Sequence, residues 1–365
     1  GDVFTGSIEV VGRDKRRWTL AQGLFFSRGL AWHPGGDEVW FSALAGHGSS
    51  EIRAATLSGR DRVIARVPGW AQLRDVFRDG RALLSRHSVR TSTIVGGEGV
   101  AERDLSWHDS SSLADLSADA RTVLFNETVF GGGGEWGVYV RRTDGSPAVR
   151  LGEGYFGWAL SPDGRWVLAN RRRGRPAFVL LPTGAGEARP LDVEAGSGFR
   201  GASWFPDSTR IAMVRAVEEG GAQLFVQDVS GGPLQPTAVK GEDLRWPLVS
   251  PDGRSAAAVG DDGGLWVFSL ADGTGRPFPD AEPADVPLQW SADGQALYVY
   301  SPSEQPSRIF TVRIGGGRRL WKVLAPPDPI GLGSHSSVAL SRDATAWAYS
   351  FTHSFGELYL VEGLR

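Results

Sequence analysis

Three arginines, Arg28, Arg200 and Arg245, stand at the same place in a phrase that recurs along the chain. Their equivalents are Gln72, Ser112, Phe156, Val286 and Ser336. Three residues further on come Asp75, Asp115, Ala159, Ser203 and Gln289, and Trp158 and Trp246 flank the same stretch. Guanidinium forks suit carboxylates and phosphates. One reading gathers the arginines around a channel mouth to hold an acidic peptide tail, a phosphate or a carboxylate metabolite, with Asp75, Asp115 and Trp246 beside them. The other pairs each arginine with a nearby carboxylate, such as Asp75 or Asp115, and needs no ligand. The tryptophans are read first as packing between neighbouring sheets and second as stacking platforms.

Other chemistry finds little support. The chain has no cysteine, which excludes disulfides, thiol nucleophiles and zinc–thiolate sites. The six histidines form no close metal-ligand pair, and no metal or cofactor is expected. His33 takes a turn position where other repeats have Ser, and reads as structural. There is no G-x-S-x-G elbow and no phosphate loop; Gly131 to Gly134 lack the Lys and the helix that such a loop needs, and read as a hairpin loop. Arg171-Arg172-Arg173 reads as a solvated basic run. No catalytic residue is assigned, so the chain is expected not to be an enzyme. A propeller enzyme, a hydrolase or lyase with its site at the central funnel, is the alternative.

The formal net charge of −3 gives no global argument for nucleic acid or an anionic membrane surface. No run reaches the roughly 18 apolar residues of a membrane span. No signal peptide is visible after Gly1, and the chain reads as a soluble piece or mature fragment. A monomer is expected.

What must position these residues is the repeat. It reads SPDGRWVLA at 161–169 and SPDGRSAAA at 250–258, with weaker copies at 77–85, 117–125, 205–213, 291–299 and 341–349. HPGGDEVWF at 33–41 keeps the pattern with Gly35 at the Asp position. A period of about 40–45 residues built of short strands and turns signals a β-propeller. In the unit from Tyr155 to Gly196, 157–160 reads as a first strand, Pro162-Asp163-Gly164 as a turn, 166–169 and 178–181 as the next strands, and 188–193 as an edge strand that tolerates Pro190. The seven repeat aspartates lie one per unit, and are read as turn residues that bond nearby amides rather than as catalytic or calcium-binding carboxylates.

The spacing therefore predicts an all-β fold, a propeller of four-stranded antiparallel blades, eight in number with seven as the alternative. Residues 1–365 are expected to form one domain, with 1–22 and 357–365 as terminal strands closing the ring. The apolar series Trp32, Val76, Leu116, Leu160, Trp204, Val249, Trp290 and Leu340 is assigned to packing between blades.

The SPDGRWVLA-type turn and third strands such as QLFVQDVSGG (223–232) resemble the TolB-like, WD-type propeller repeat. RGLAWHPGGDEVWFSA (28–43), RTDGSPAVRLGEG (142–154), ALSPDGRWVLA (159–169), VLLPTGAGEARPL (179–191) and ELYLVEGLR (357–365) resemble more specifically the propeller region that follows the kinase domain of certain bacterial serine/threonine kinases. No kinase motif is present. The resemblance implies a non-catalytic sensor or scaffold module of a bacterial signalling protein, binding a protein, peptide or small anionic ligand at the channel mouth. It also implies an extracytoplasmic position.

Overall fold

The computed structural model describes residues 5–25, 27–45, 48–128, 136–171, 178–191, 198–217, 220–302, 306–326 and 328–364. Every regular element among them is a strand, so the fold is all-β, and no helix is long and apolar enough to cross a membrane. The glycine run 131–134 and Arg172 and Arg173 lie outside the described residues.

The repeat turn is built from its own side chains. In all seven aspartate copies, Oδ1 accepts the backbone N–H two residues on, at 2.8–3.1 Å. In five, the preceding Ser donates its hydroxyl to the same oxygen, as Ser161 does to Asp163 at 2.5 Å. The aspartates are thus turn residues, as their type and spacing predict. At the eighth copy His33 Nδ1 takes up the N–H of Gly35 at 3.3 Å, a structural part.

Each turn joins an inner strand to a second strand. The sheet of the central repeat runs Tyr155–Leu160, Trp166–Arg171, Phe178–Pro182 and Arg189–Leu191, all antiparallel in sequence order. Pro190 sits in the outer strand, where a missing donor costs no ladder bond.

The described residues divide into two compact units. The larger takes in those of Thr91–Thr128 and Trp136–Thr352. Five of its sheets have four strands, with inner strands Ser111–Leu116, Tyr155–Leu160, Phe199–Trp204, Arg245–Val249 and Val286–Trp290. A sixth joins Leu332–Leu340, residues 346–352 and 91–97, and Val100–Asp104. The interfaces between sheets hold the cores. Leu124, Val138 and Val140 meet Leu160, Val167 and Ala169, and each later sheet repeats the scheme. Ala339, Ala348 and Val95 of the sixth sheet then pack on Leu113, Leu116 and Val123 of the first, so this unit closes on itself. A fully buried Leu or Val, such as Leu168 or Val167, contributes roughly 1.5–3 kcal/mol, and closure gives each sheet two such faces.

The smaller unit takes in the described residues of Gly1–Arg90 and His353–Arg365. It holds the hairpin Thr5–Val11 with Arg17–Phe25, and the sheet Arg28–Trp32, Glu38–Ala45, Ser49–Thr56 and Asp61–Pro68. Trp70–Val76 pairs with residues 82–87. The hairpin packs Ile8, Leu20 and Leu24 on Val39, Phe41 and Ala55.

All eight phrases head a hairpin, six in the larger unit and two in the smaller. Two strands depart from the short-strand plan. Ala82–Gly97 and Ala346–Val361 are 16 residues each, because no Pro-Asp-Gly type turn interrupts their alternation. One packing assignment needs correction. Trp32 is 50% exposed, against 6% for Trp204 and 5% for Trp290 at the same repeat position. In the larger unit a neighbouring sheet covers that position at Trp204 and Trp290.

Candidate ligand-binding cavity

The inner strands of the larger unit share a local irregularity. Pairing with the second strand shifts register at Leu113/Asp115, Gly157/Ala159, Phe199/Ala202, Arg245/Leu248 and Pro287/Gln289. A β-bulge inserts an extra residue and re-aims side chains. It recurs at the equivalent place in five of the six inner strands. The result is a cavity of about 530 Å³ to which all six inner strands contribute, through residues that include Asp115, Ala159, Ser203, Leu248, Gln289 and Val338.

The polar wall residues fasten one sheet to the next. Asp115 Oδ2 accepts the N–H of Leu160 at 2.8 Å, and Oδ1 that of Leu116 at 2.8 Å. Ser203 Oγ accepts from Val249 N–H at 3.2 Å. Gln289 Nε2 donates to the carbonyl of Ser341 at 2.8 Å. The indoles of Trp204 and Trp290 donate to the carbonyls of Ala159 and Leu248.

Asp115 is the carboxyl of this wall among the described residues. It is half-buried in the cavity wall. Loss of hydration pushes its pKa up to about 7, against the pull of the two amide hydrogen bonds. Tyr300 and Arg342 also line the cavity, and burial pushes the Tyr300 hydroxyl up.

Trp158 and Trp246 line the cavity, 39% and 45% exposed. Trp158 donates its indole N–H to Asn170 Oδ1 at 2.9 Å and meets Phe156 and Phe199 edge-on. Both indoles stand on the cavity wall, and Trp158 also packs against Phe199 of the next sheet. Trp246 has φ of 52°, a left-handed conformation that costs a bulky residue strain. Its backbone lies against Gly201, where a Cβ would come within 3.1 Å of Trp246 Cα.

Arg200 and Arg245 do come together, on Asp243. Arg200 donates to Asp243 Oδ1 at 3.3 Å and to the Glu242 carbonyl at 2.9 Å, and Arg245 donates to Asp243 Oδ2 while stacking 5.2 Å over Trp246. Their carboxylate is therefore Asp243, which the repeat alignment does not single out, and not Asp75 or Asp115. Arg28 and Asp75 belong to the smaller unit. Arg28 lines a separate cavity there with Arg74 and His87, and Asp75 is exposed and accepts the N–H of Val76 at 2.8 Å. The alignment finds Asp115 and Trp246. Trp158, which flanks the same stretch of sequence, lines the cavity with them.

No protein-family model and no curated protein matches the chain. Among solved structures, the putative TolB of Agrobacterium tumefaciens matches at 18% identity, covering 73% of this chain and 99% of that one, with a TM-score of 0.53. TolB of Acinetobacter baumannii matches at 18% identity over 73% of this chain and 57% of that one, TM-score 0.35. Oligogalacturonate lyase of Vibrio parahaemolyticus matches at 16% identity over 70% and 76%, TM-score 0.47. With the sheet topology, the first of these likenesses establishes the fold: the chain is an all-β propeller, similar in fold to that TolB protein.

Proposed function

We propose that the chain is a ligand-binding propeller module without catalytic chemistry of its own, taking a small molecule into the axial cavity of its larger unit. One observation carries this reading: six inner strands, five of them bulged, converge on a cavity of ligand size whose wall offers two half-exposed tryptophans. Catalysis by paired carboxylates would need a second acid facing Asp115; among the described lining residues Asp115 is the single one. The resemblance to kinase-linked propellers supports a place in a bacterial signalling protein, with the module as its extracytoplasmic sensor. An anion at Arg200 and Arg245 is the poorer site, since Asp243 occupies their forks and must leave first.

The test is a fragment library screened by ligand-observed NMR against the wild type and a Trp158→Ala/Trp246→Ala variant. Fragments that lose binding in the folded variant support the reading. Binding that persists unchanged overturns it. A parallel screen for hydrolase and lyase turnover, with Asp115→Asn as control, decides for the enzyme reading if turnover appears and depends on Asp115.

A further inference from the structure

We propose that the axial cavity takes a ligand carrying a primary ammonium group, held by the Asp115 carboxylate with its apolar body against Trp158 and Trp246. This rests on the cavity being the binding site and goes on to name the chemistry of its ligand.

Fastening neighbouring inner strands does not require a charge. Ser203 performs that task for Val249 with a neutral hydroxyl. Asp115 makes the same link to Leu160 and a second to Leu116. A carboxylate offers about four acceptor directions, and two amides leave the rest, together with the charge, toward the cavity. No cation contributes to the environment of Asp115; only burial and the two amides do. The other titratable or charged groups lining the cavity are Arg342 and Tyr300. Arg342 follows the inner strand Leu332–Leu340, and its backbone N–H is tied to the Ala118 carbonyl at 3.1 Å. Asp115 is thus a half-buried carboxyl that faces the cavity with no cation paired to it.

An ammonium supplies the missing charge and the missing donors. The tryptophans favour the same ligand, since indole faces attract cations as well as apolar groups. Trp158 stands two residues before Leu160, whose amide Asp115 holds, so carboxyl and platform belong to one stretch of wall. A carboxylate ligand would meet like charge at Asp115, and a neutral one would leave the carboxyl uncompensated.

The probes are benzylammonium, benzyl alcohol and benzoate, titrated calorimetrically into the whole chain at about pH 8, above the Asp115 titration. Benzylammonium is expected to bind about tenfold more tightly than benzyl alcohol, with benzoate weakest. Asp115→Asn should bring benzylammonium to within about twofold of the alcohol and leave the alcohol unchanged. Asp115→Ser, patterned on Ser203, gives the same readout if the Asn variant does not fold. Equal binding of amine and alcohol by the wild type, or tightest binding of benzoate, overturns the ammonium inference and leaves the cavity reading standing. Binding of none of the three, with no fragment lost in the double tryptophan variant, overturns both.

Discussion

Asn126 and Gly157 exchange two hydrogen bonds across the interface between neighbouring sheets. Asn126 Nδ2 donates to the Gly157 carbonyl at 2.9 Å, and Gly157 N–H donates to Asn126 Oδ1 at 2.7 Å. Asn126 is fully buried. One side-chain amide thereby satisfies both backbone groups of a residue at the bulge of the inner strand Tyr155–Leu160, where the ladder with the second strand shifts register.

Asn126→Ala should therefore destabilise the chain by about 2–4 kcal/mol, since it strands a buried donor and a buried acceptor together. Asn126→Asp should be as costly at neutral pH, because it sets a carboxylate against the Gly157 carbonyl. Urea unfolding midpoints measure both. A loss below about 1 kcal/mol for the alanine variant would show that water replaces the amide freely.

The repeat turn makes a second prediction. Its fourth residue is left-handed in every copy: Gly36, Gly80, Gly164, Gly253 and Gly294 supply it, but so do Ala120, Ser208 and Ala344, with φ of 60°, 59° and 56°. A left-handed conformation costs an L-residue about 1–2 kcal/mol, and glycine gives back roughly 0.5–1 kcal/mol in chain entropy. Ala120→Gly and Ala344→Gly should each raise stability by about 0.5–1 kcal/mol, and Gly164→Ala should lower it by a similar amount. Thermal or urea midpoints of the three variants check the signs, which must be opposite.

Asp115 gives a stability contribution with an unusual sign. Its folded-state pKa is near 7 against the ordinary 3.8, so the native chain holds a proton that the unfolded chain has released. Between about pH 4 and 7 this carboxyl makes stability fall as pH rises, by roughly 1.4 kcal/mol per unit. Asp115→Asn removes the dependence. Its unfolding midpoint relative to wild type should rise from pH 5 to about pH 7 (about two units of the titration) and level off above. A difference that stays flat across that range would contradict the burial of the carboxyl.

The turn aspartates act in the opposite sense. Ser hydroxyl and backbone amide bonds hold Asp119, Asp252, Asp293 and Asp343 below the usual carboxylate range, with the Ser bond the larger cause in each. Their contribution is present above the unfolded value of 3.8 and is lost as pH falls through the lower folded values. Each group is exposed, so each contribution is small. Replacing Ser250, Ser291 and Ser341 together with Ala should move acid unfolding to higher pH. Circular dichroism across an acid titration reads the midpoint, and an unmoved midpoint would mean that the backbone amides alone hold these carboxylates.

How much of this was legible from residues alone follows from what each feature depends on. The Pro-Asp-Gly turns are local: Asp163 bonds an amide two residues away, and its sequence neighbours suffice to predict that. The blade pattern follows too, because Leu160, Trp204 and Trp290 recur at one spacing and are buried alike. Trp32 shares the spacing and is exposed, since burial depends on whether another sheet packs over it, and that is not encoded in the phrase. The reading that pairs the arginines with a carboxylate holds for Arg200 and Arg245, but the carboxylate is Asp243. Asp243 lies in a connection of irregular length, where alignment by repeat gives no register. Asp115 was picked out by position, but its lack of a counter-charge depends on all six strands at once.

Trp246 joins strain to the candidate site. A left-handed φ at a tryptophan costs about 1–2 kcal/mol, and the residue leaves 45% of its surface exposed, so burial repays only part of that cost. Such strain persists where the surroundings over-determine it: the backbone here is pressed against Gly201 and the indole lies beneath Arg245. Trp246→Gly frees the backbone conformation and removes the platform. Its stability should stay within about 1 kcal/mol of wild type or rise above it, while benzylammonium affinity falls by about fivefold or more. Urea unfolding and calorimetric titration on the same preparation give both numbers. A variant that loses stability and keeps its affinity would reverse the assignment, making Trp246 a packing residue and leaving Trp158 as the platform of the cavity.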